Sequence, residues 1–421
     1  MNIAVFTESF PNISETFINN QIIGLLNSGH SITILSKNKP KSLLIHDDVL
    51  KYNLLEKLIY EKQVPQALHK RIFTAFGIFF KLDFKKKIKL LKTFNFLKYK
   101  KKSLNLSLFY HAVSYIDLPD FDIIHAHFGP AGNHALLMKE LGVLKGEIIT
   151  TFYGFDATDF SIRKKALENG FYSNLFKKGS LFITGANYTK IKVCELNCPA
   201  DKTFVIPATL DIEKFTRKTS YLKNRQNVNI ITVARVTEMK GLKYSIKAVA
   251  ELINSENIRN INFSMIGSGE LMTELEDLIK ECNAENNIFL LGARKQEFYL
   301  DLYENVDIFL LTSIKTDAGI VETQGLVIQE AQAMEIPVVV SHVGGVGEGV
   351  IDKQTGFLVK EKDINDISDK LLHLIKNPQL REQMGKSGRS FVSEKFSIRS
   401  GTRNLLNLYK KVLENETPAV L

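Results

Sequence analysis

The sequence predicts an α/β chain of two parallel-sheet domains, and three observations carry that expectation. Strand-like apolar segments alternate with helix-periodic ones along most of the chain. A chain of 421 residues with 44% hydrophobic content is long enough for two sizeable cores. A polar stretch from Lys214 to Asn227, with few large apolar residues after Phe215, has the composition of a linker between them.

The N-terminal strands are expected at 2–7, 31–36, 121–126, 147–152, 181–184 and 203–206. The first helix is the clearest. Ser14 stands as N-cap, Phe17, Ile18, Ile22, Leu25 and Leu26 form an apolar face, and Gly29 ends the helix at C′. A second domain begins with the strand Val228–Val233 and continues through strands near 261–266, 288–291, 307–311 and 337–340. The expected division is 1–212, 213–396 and a last helix within 397–421. There is no internal repeat.

Composition excludes several classes. Cys194, Cys198 and Cys282 make no disulfide framework, and Cys194-x3-Cys198 lacks further ligands at metal spacing, so free thiols are expected. The segment Met1-Asn-Ile-Ala-Val-Phe reads as a buried strand rather than a signal peptide. The longest apolar run, Ile72 to Phe80, is too short to span a bilayer. A soluble cytoplasmic protein is the expectation.

Charge is concentrated. Residues 81–102 hold ten lysines against one acid, Asp83, and this local +9 equals the formal net charge of the whole chain. Leu82, Phe84, Ile88, Leu90, Leu91, Phe94, Phe96 and Leu97 lie between the lysines, a mixture suited to an interfacial helix on an anionic membrane. A solvated helix face is the alternative. No nucleic-acid fold signature accompanies the lysines, so no nucleic-acid partner is expected.

The stretch Glu322-Thr323-Gln324-Gly325-Leu326-Val327-Ile-Gln-Glu330 opens as a glycine-containing loop and runs into a helix-periodic segment. The N–H groups of Gly325, Leu326 and Val327 would then lie at a helix N-terminus, where a diphosphate fits. Carboxylates beside an anion site repel phosphate, so hydroxyls are their expected partners: a ribose for Glu330 and a sugar ring for Glu322. Arg235 follows the first strand of the second domain and Lys240 comes five residues later, placing two cations where open α/β sheets bind ligands. Gly267-Ser-Gly269 follows the next strand and allows close backbone approach to a ligand.

The Glu322 to Glu330 spacing resembles the Glu-x7-Glu signature of the retaining glycosyltransferases of family four, which share the two-domain GT-B fold. Further landmarks fall in that family's order: Phe10-Pro11-Asn-Ile-Ser14-Glu15-Thr16-Phe17-Ile18, Asp122-Ile-Ile-His125-Ala-His127-Phe-Gly129-Pro130, Ala234-Arg235 with Lys240-Gly241, Ile266-Gly267-Ser-Gly269, Gly344-Gly345 and Gly356-Phe-Leu. The N-terminal blocks are similar to the exopolysaccharide branch, including colanic-acid-type enzymes. The resemblance implies two Rossmann-like domains with parallel sheets facing a central cleft. It also implies a final helix that crosses back to the N-terminal domain.

On that resemblance, Arg235, Lys240 and Glu322 carry catalysis, and Gly267, Gly269, Arg294, Thr323, Gln324, Gly325, Leu326, Val327 and Glu330 bind donor, the base lying near Gly292-Ala-Arg294. The N-terminal domain is expected to hold the acceptor through Ser14, Thr16, His127, Tyr153 and Asp156. There the chain departs from the family: Tyr153 stands where His-Gly-x-Asp has its histidine, and a neutral phenol is a poor base. The implied reaction moves a hexose from a nucleotide-sugar, UDP by default and GDP as rival, to a saccharide or polyprenyl-diphosphate-linked acceptor. Its place is the inner face of the cytoplasmic membrane, and no cofactor or metal is expected. Asp120-Phe-Asp122 spells a metal-binding DxD but precedes a strand, where a turn is expected. A GT-B epimerase or phosphorylase shares the anion elements, and a catalytically inactive membrane-surface binder is the other alternative.

Overall fold

The computed structural model describes residues 1–12, 15–40, 45–218 and 227–414. They form two compact units. The first comprises residues 1–184, 190–205 and the chain from Thr402 onward, and the second comprises 185–189 and 206–401.

The N-terminal unit carries β1 (Asn2–Ser9), β2 (Ser31–Asn38), β3 (Leu58–Tyr60), β4 (Ile123–His127), β5 (Glu147–Phe152), β6 (Leu181–Thr184) and β7 (Thr203–Val205), in the order β3-β2-β1-β4-β5-β6-β7. The C-terminal unit carries β8 (Val228–Val233), β9 (Ile261–Ile266), β10 (Ile288–Leu290), β11 (Ile308–Leu311), β12 (Val338–Ser341) and β13 (Gly356–Val359), in the order β10-β9-β8-β11-β12-β13. Both sheets are parallel throughout. Helical crossovers cover such sheets, which is why β4, β11 and β12 are buried at every position and why β11 and β12 read as near-continuous apolar runs.

Two edge strands escape sequence reading. β3 is three residues long and only half-buried, and β13 has four residues and begins with glycine, so neither shows a usable periodicity. The first helix runs Thr16–Asn27 with Glu15 at the cap position and no side-chain cap bond. The expected cap, Ser14, lies outside the described residues. Gly29 takes φ +80, and the His30 amide donates to the Leu25 carbonyl at 3.2 Å, closing the helix as a C′ glycine does.

The boundary expected at 212–213 falls inside the C-terminal unit, because Leu210, Ile212 and Phe215 are buried in that unit's core. Of the expected linker, residues 219–226 lie outside the described residues. The last helix is Ile398–Leu413, and its Tyr409 hydroxyl lies 2.5 Å from His125 Nδ1 within the N-terminal unit. Asp122 accepts from the Asn2 amide at 2.7 Å and Asp120 pairs with Lys145 at 2.8 Å, so both acids close the turn into β4. Among the described residues, no helix is long and apolar enough to cross a membrane.

Each sheet reverses its winding at one place. β1 pairs with both β2 and β4, and β8 pairs with both β9 and β11. Crevices outside the carboxyl ends of such strands are where open α/β sheets hold ligands.

Candidate active site

At the β8/β11 reversal, the loops that follow the two strands are laced together by hydrogen bonds. The Ile314 amide donates to the Met239 carbonyl at 2.8 Å, and the Thr312 hydroxyl donates to the Gly241 carbonyl at 2.8 Å. A Cβ on Gly241, itself at φ +58, would lie 2.0 Å from the Thr312 carbonyl oxygen. Only glycine lets the 238–241 turn close against the loop after β11. That closure places Lys240, which is buried, beside the segment carrying Glu322.

The Lys240 ammonium is ion-paired with Glu322 Oε2, and both side chains are largely enclosed. Burial works to raise the Glu322 pKa, but the charge and hydrogen bond of Lys240, the Thr323 amide and the charge of Arg235 together hold it below the ordinary carboxylate value. Glu322 is therefore ionised, and its first partner is Lys240 rather than a sugar hydroxyl. Lys240 is likewise not a free phosphate ligand. Arg235, at the end of β8, is exposed.

Gly325 takes φ +75 and precedes the helix Leu326–Ala333, as the spacing predicts. The Leu326 and Val327 amides open that helix and have no carbonyl acceptor within it, which makes this end attractive to an anion. The Gly345 amide donates to the Glu322 carbonyl at 3.0 Å, and a Cβ on Gly345 would stand 2.0 Å from the Thr323 carbonyl. The glycine pair thus fixes the backbone that bears Glu322 and Thr323.

Glu330 is buried on the same helix, and the Tyr299 hydroxyl donates to its Oε2 at 3.3 Å. Burial pushes its pKa up to about 7, with the Tyr299 bond and the Lys214 charge opposing. Tyr299 belongs to the helix Gln296–Tyr303, which follows the Gly292-Ala-Arg294 loop; exposed Arg294 stacks its guanidinium 5.0 Å from the Phe298 ring. Glu330 and the loop expected near the base are thereby joined through one short helix.

Three of the expected donor residues make contacts within the protein itself. Gln324 accepts from the Ala208 amide at 2.9 Å and donates to the Ala208 carbonyl at 3.0 Å, so its carboxamide ties the loop to residue 208. Gly267 and Gly269 do allow close approach, but to backbone: their Cβ positions would lie 1.7 Å from the Ala234 carbonyl and 2.1 Å from the Val236 carbonyl. They pack the loop after β9 against the loop bearing Arg235.

In the N-terminal unit, β4 ends with two stacked imidazoles. His125 and His127 lie 4.9 Å apart at 7°, and His127 Nδ1 is 2.8 Å from the Tyr153 hydroxyl. Burial lowers the His125 pKa to about 3 and that of His127 well below its ordinary value, so both rings are neutral. Burial first, then the charges of Asp156 and Glu15, raises the Tyr153 phenol well above its usual value. Tyr153 thus acts as a neutral partner that orients His127. Asp156 accepts from the amides of Gly129, Tyr153 and Gly154 at 2.9, 3.1 and 3.0 Å, which makes it a staple for the loop rather than an open acceptor ligand. Thr16 opens the first helix.

Sequence reading named Glu15 within the block 10–18 without giving it a role, and burial pushes its carboxyl up to about 7 beside Asn12. Glu348 was missed. It accepts from the Asn187 and Tyr188 amides at 2.7 and 2.8 Å and caps the helix Asn187–Cys194. Glu348 sits in no spacing pattern that would mark it. A third cluster, Glu61, His111 and His134, brings three metal-type donors within 4.8 Å of one another. Its carboxylate already bonds both imidazoles and the Tyr115 hydroxyl, so the group stands as a hydrogen-bonded bracket.

Residues 14–214 match the family described as Glycosyltransferase Family 4, and residues 213–391 match Glycosyl transferases group 1. A protein of Salmonella typhimurium named for colanic acid biosynthesis, the glycosyltransferase WcaL, is 28% identical over 98% of this chain and 100% of its own. The amylovoran biosynthesis glycosyltransferase AmsK of Erwinia amylovora is 28% identical with the same coverage. Among solved structures, a glycosyltransferase from Rickettsia africae superposes with TM-score 0.67 at 19% identity, covering 99% of this chain and 100% of that one. HepE of Anabaena in complex with UDP gives TM-score 0.69 at 16% identity, covering 98% and 100%.

Proposed function

We propose that this chain, which belongs to the glycosyltransferases and has their GT-B fold, moves a hexose from a UDP-sugar to a lipid-linked or growing saccharide in surface polysaccharide synthesis. The observation that carries the donor assignment is the enclosed Lys240–Glu322 pair beside Gly325 and the amides of the Leu326–Ala333 helix, with exposed Arg235 on the neighbouring loop. The relatives named for colanic acid and amylovoran synthesis support the polysaccharide setting. Structures of HepE with UDP and with UDP-glucose support the donor class.

In this reading the bond between the anomeric carbon and the diphosphate breaks while the acceptor oxygen bonds the same carbon from the same face. The acceptor proton passes to the departing diphosphate oxygen. Glu322, already engaged by Lys240, is not a nucleophile; it holds the ammonium in place and orients the sugar. Arg235, Lys240 and the amides of Leu326 and Val327 meet the charge that develops on the leaving group, and no metal is needed for that task. Glu330 accepts from the ribose hydroxyls. The acceptor meets the N-terminal unit near His127 and Thr16, at the inner face of the cytoplasmic membrane.

Thermal-shift titration with UDP, GDP, UDP-glucose and other nucleotide-sugars tests the assignment. A ligand at 100 times its dissociation constant stabilises the fold by roughly 2.7 kcal/mol. Absence of any shift with nucleoside diphosphates would remove the donor site from this loop. The anomeric configuration of the product, read by NMR, tests retention.

A further inference from the structure

We propose that the helix Leu68–Lys81 and the groove beside it form a bilayer-insertion surface, in which Phe73, Phe76 and Phe80 enter an anionic leaflet while neighbouring lysines meet its headgroups. The inference rests on the membrane-borne acceptor reading and names the apolar surface that would hold the chain at the bilayer.

Leu68, Ile72, Phe76 and Phe80 recur at four-residue spacing, the pattern that normally turns a helix stripe toward a core. Here the stripe faces solvent. Leu68, Ile72, Phe76 and Phe80 are 54%, 52%, 65% and 60% exposed, Phe73 is 78% exposed, and Ala75 alone in the helix is buried. Phe84, Ile88 and Leu91 on the next helix, Phe84–Leu91, are exposed too. Between these elements lies a groove of about 380 Å³ walled by Ile72, Phe76, Phe80, Leu91 and Phe94. Soluble surfaces rarely carry contiguous apolar area of this kind without a use for it.

Charge identifies the occupant. From Lys62 to Ile116 the only acid is Asp83, so an acidic surface is the complementary one. Lys86 is engaged by Asp83 at 3.2 Å and Asp117 at 2.7 Å, and Lys98 by Glu140 at 3.3 Å. Lys87 instead lies 5.9 and 5.7 Å from the Phe79 and Phe80 ring centres, which sets an ammonium at the margin of the aromatic stripe. Lys85, Lys100, Lys101 and Lys102 are exposed. A leaflet of anionic lipid offers an apolar layer and a sheet of negative charge at one boundary, and this patch presents the complement of both. The basic segment 81–102 thus supplies the charge, and the apolar anchor is the helix that precedes it.

The chain contains no tryptophan, so Phe76→Trp places a single fluorophore on the stripe and Phe171→Trp supplies a control elsewhere in the same unit. With vesicles of phosphatidylcholine and phosphatidylglycerol, Trp emission from the Phe76→Trp protein should shift to the blue and be quenched by lipid brominated in its acyl chains. The Phe171→Trp protein should show neither effect. The triple variant Phe73→Asp, Phe76→Asp, Phe80→Asp should lose at least tenfold in vesicle partitioning while melting and nucleotide binding stay unchanged. Vesicle binding with an unquenched fluorophore at position 76 would overturn insertion and leave a lysine-only surface contact. Failure of the wild-type chain to bind these vesicles at all would sink both insertion and the membrane-borne acceptor.

Discussion

Lys240 and Glu322 neutralise one another inside the C-terminal unit, so one of the two cations beside the proposed diphosphate site is already held by a carboxylate. The pair arises because Gly241 lets the turn after β8 close on the loop after β11. Each residue therefore tunes the other. Glu322 aims the ammonium, and the ammonium keeps Glu322 ionised.

From this coupling, Glu322→Gln should lower turnover by roughly tenfold or more, while nucleoside diphosphate affinity is retained or strengthened because the competing carboxylate is gone. Steady-state kinetics alongside calorimetric titration with UDP checks both halves. A variant that loses nucleotide affinity in step with turnover would show that Glu322 itself supports the nucleotide.

Lys240→Ala removes one member of an enclosed pair and leaves the other charge stranded, a change that costs about 3–5 kcal/mol when the site is fully buried. Its melting temperature should fall along with nucleotide affinity. Arg235→Ala should weaken nucleotide binding by a further ~1.5–3 kcal/mol equivalent without altering melting, since Arg235 is exposed. Equal melting of the two variants would contradict the buried pair.

Glu330 provides a pH test. Its folded pKa of about 7 lies above the ordinary carboxylate value of 4.5, so the folded state holds a proton that the unfolded state has released. Stability at this site is present below 4.5 and is lost as pH rises toward 7. Ribose hydroxyls prefer the ionised carboxylate, so nucleotide affinity should increase with pH through about 7 in wild type. Glu330→Gln should flatten that increment and melt higher than wild type at pH 8 in the absence of ligand. The same slope in both proteins would assign the titration to the phosphate.

Glu61 should behave in the opposite sense. Burial disfavours its charge, but hydrogen bonds and charge from His111 and His134 lower its pKa to about 2. Its contribution is present above the unfolded value of 4.5 and is lost as pH falls from there toward 2. Glu61→Gln should lower the melting temperature at pH 7 and reduce the loss of stability on acidification. A melting curve unchanged at pH 7 would show that the bracket is not stabilising.

Much of this protein is determined locally. The two parallel sheets follow from largely apolar strands alternating with helical periods, and Gly325 before Leu326 marks a helix start because a left-handed turn there favours glycine. The lysines of residues 81–102 are visible by counting. Other features depend on contacts between residues far apart in the chain. Nothing near residue 240 announces that its ammonium meets residue 322, nothing near Gln324 shows that its carboxamide grips Ala208, and nothing near Asp156 shows that it holds three amides. The stripe 68-72-76-80 is the sharpest case. Four-residue apolar spacing predicts a helix with one greasy face, and only tertiary packing decides whether that face meets a core or is left to solvent, because burial is set by what the rest of the chain brings to it.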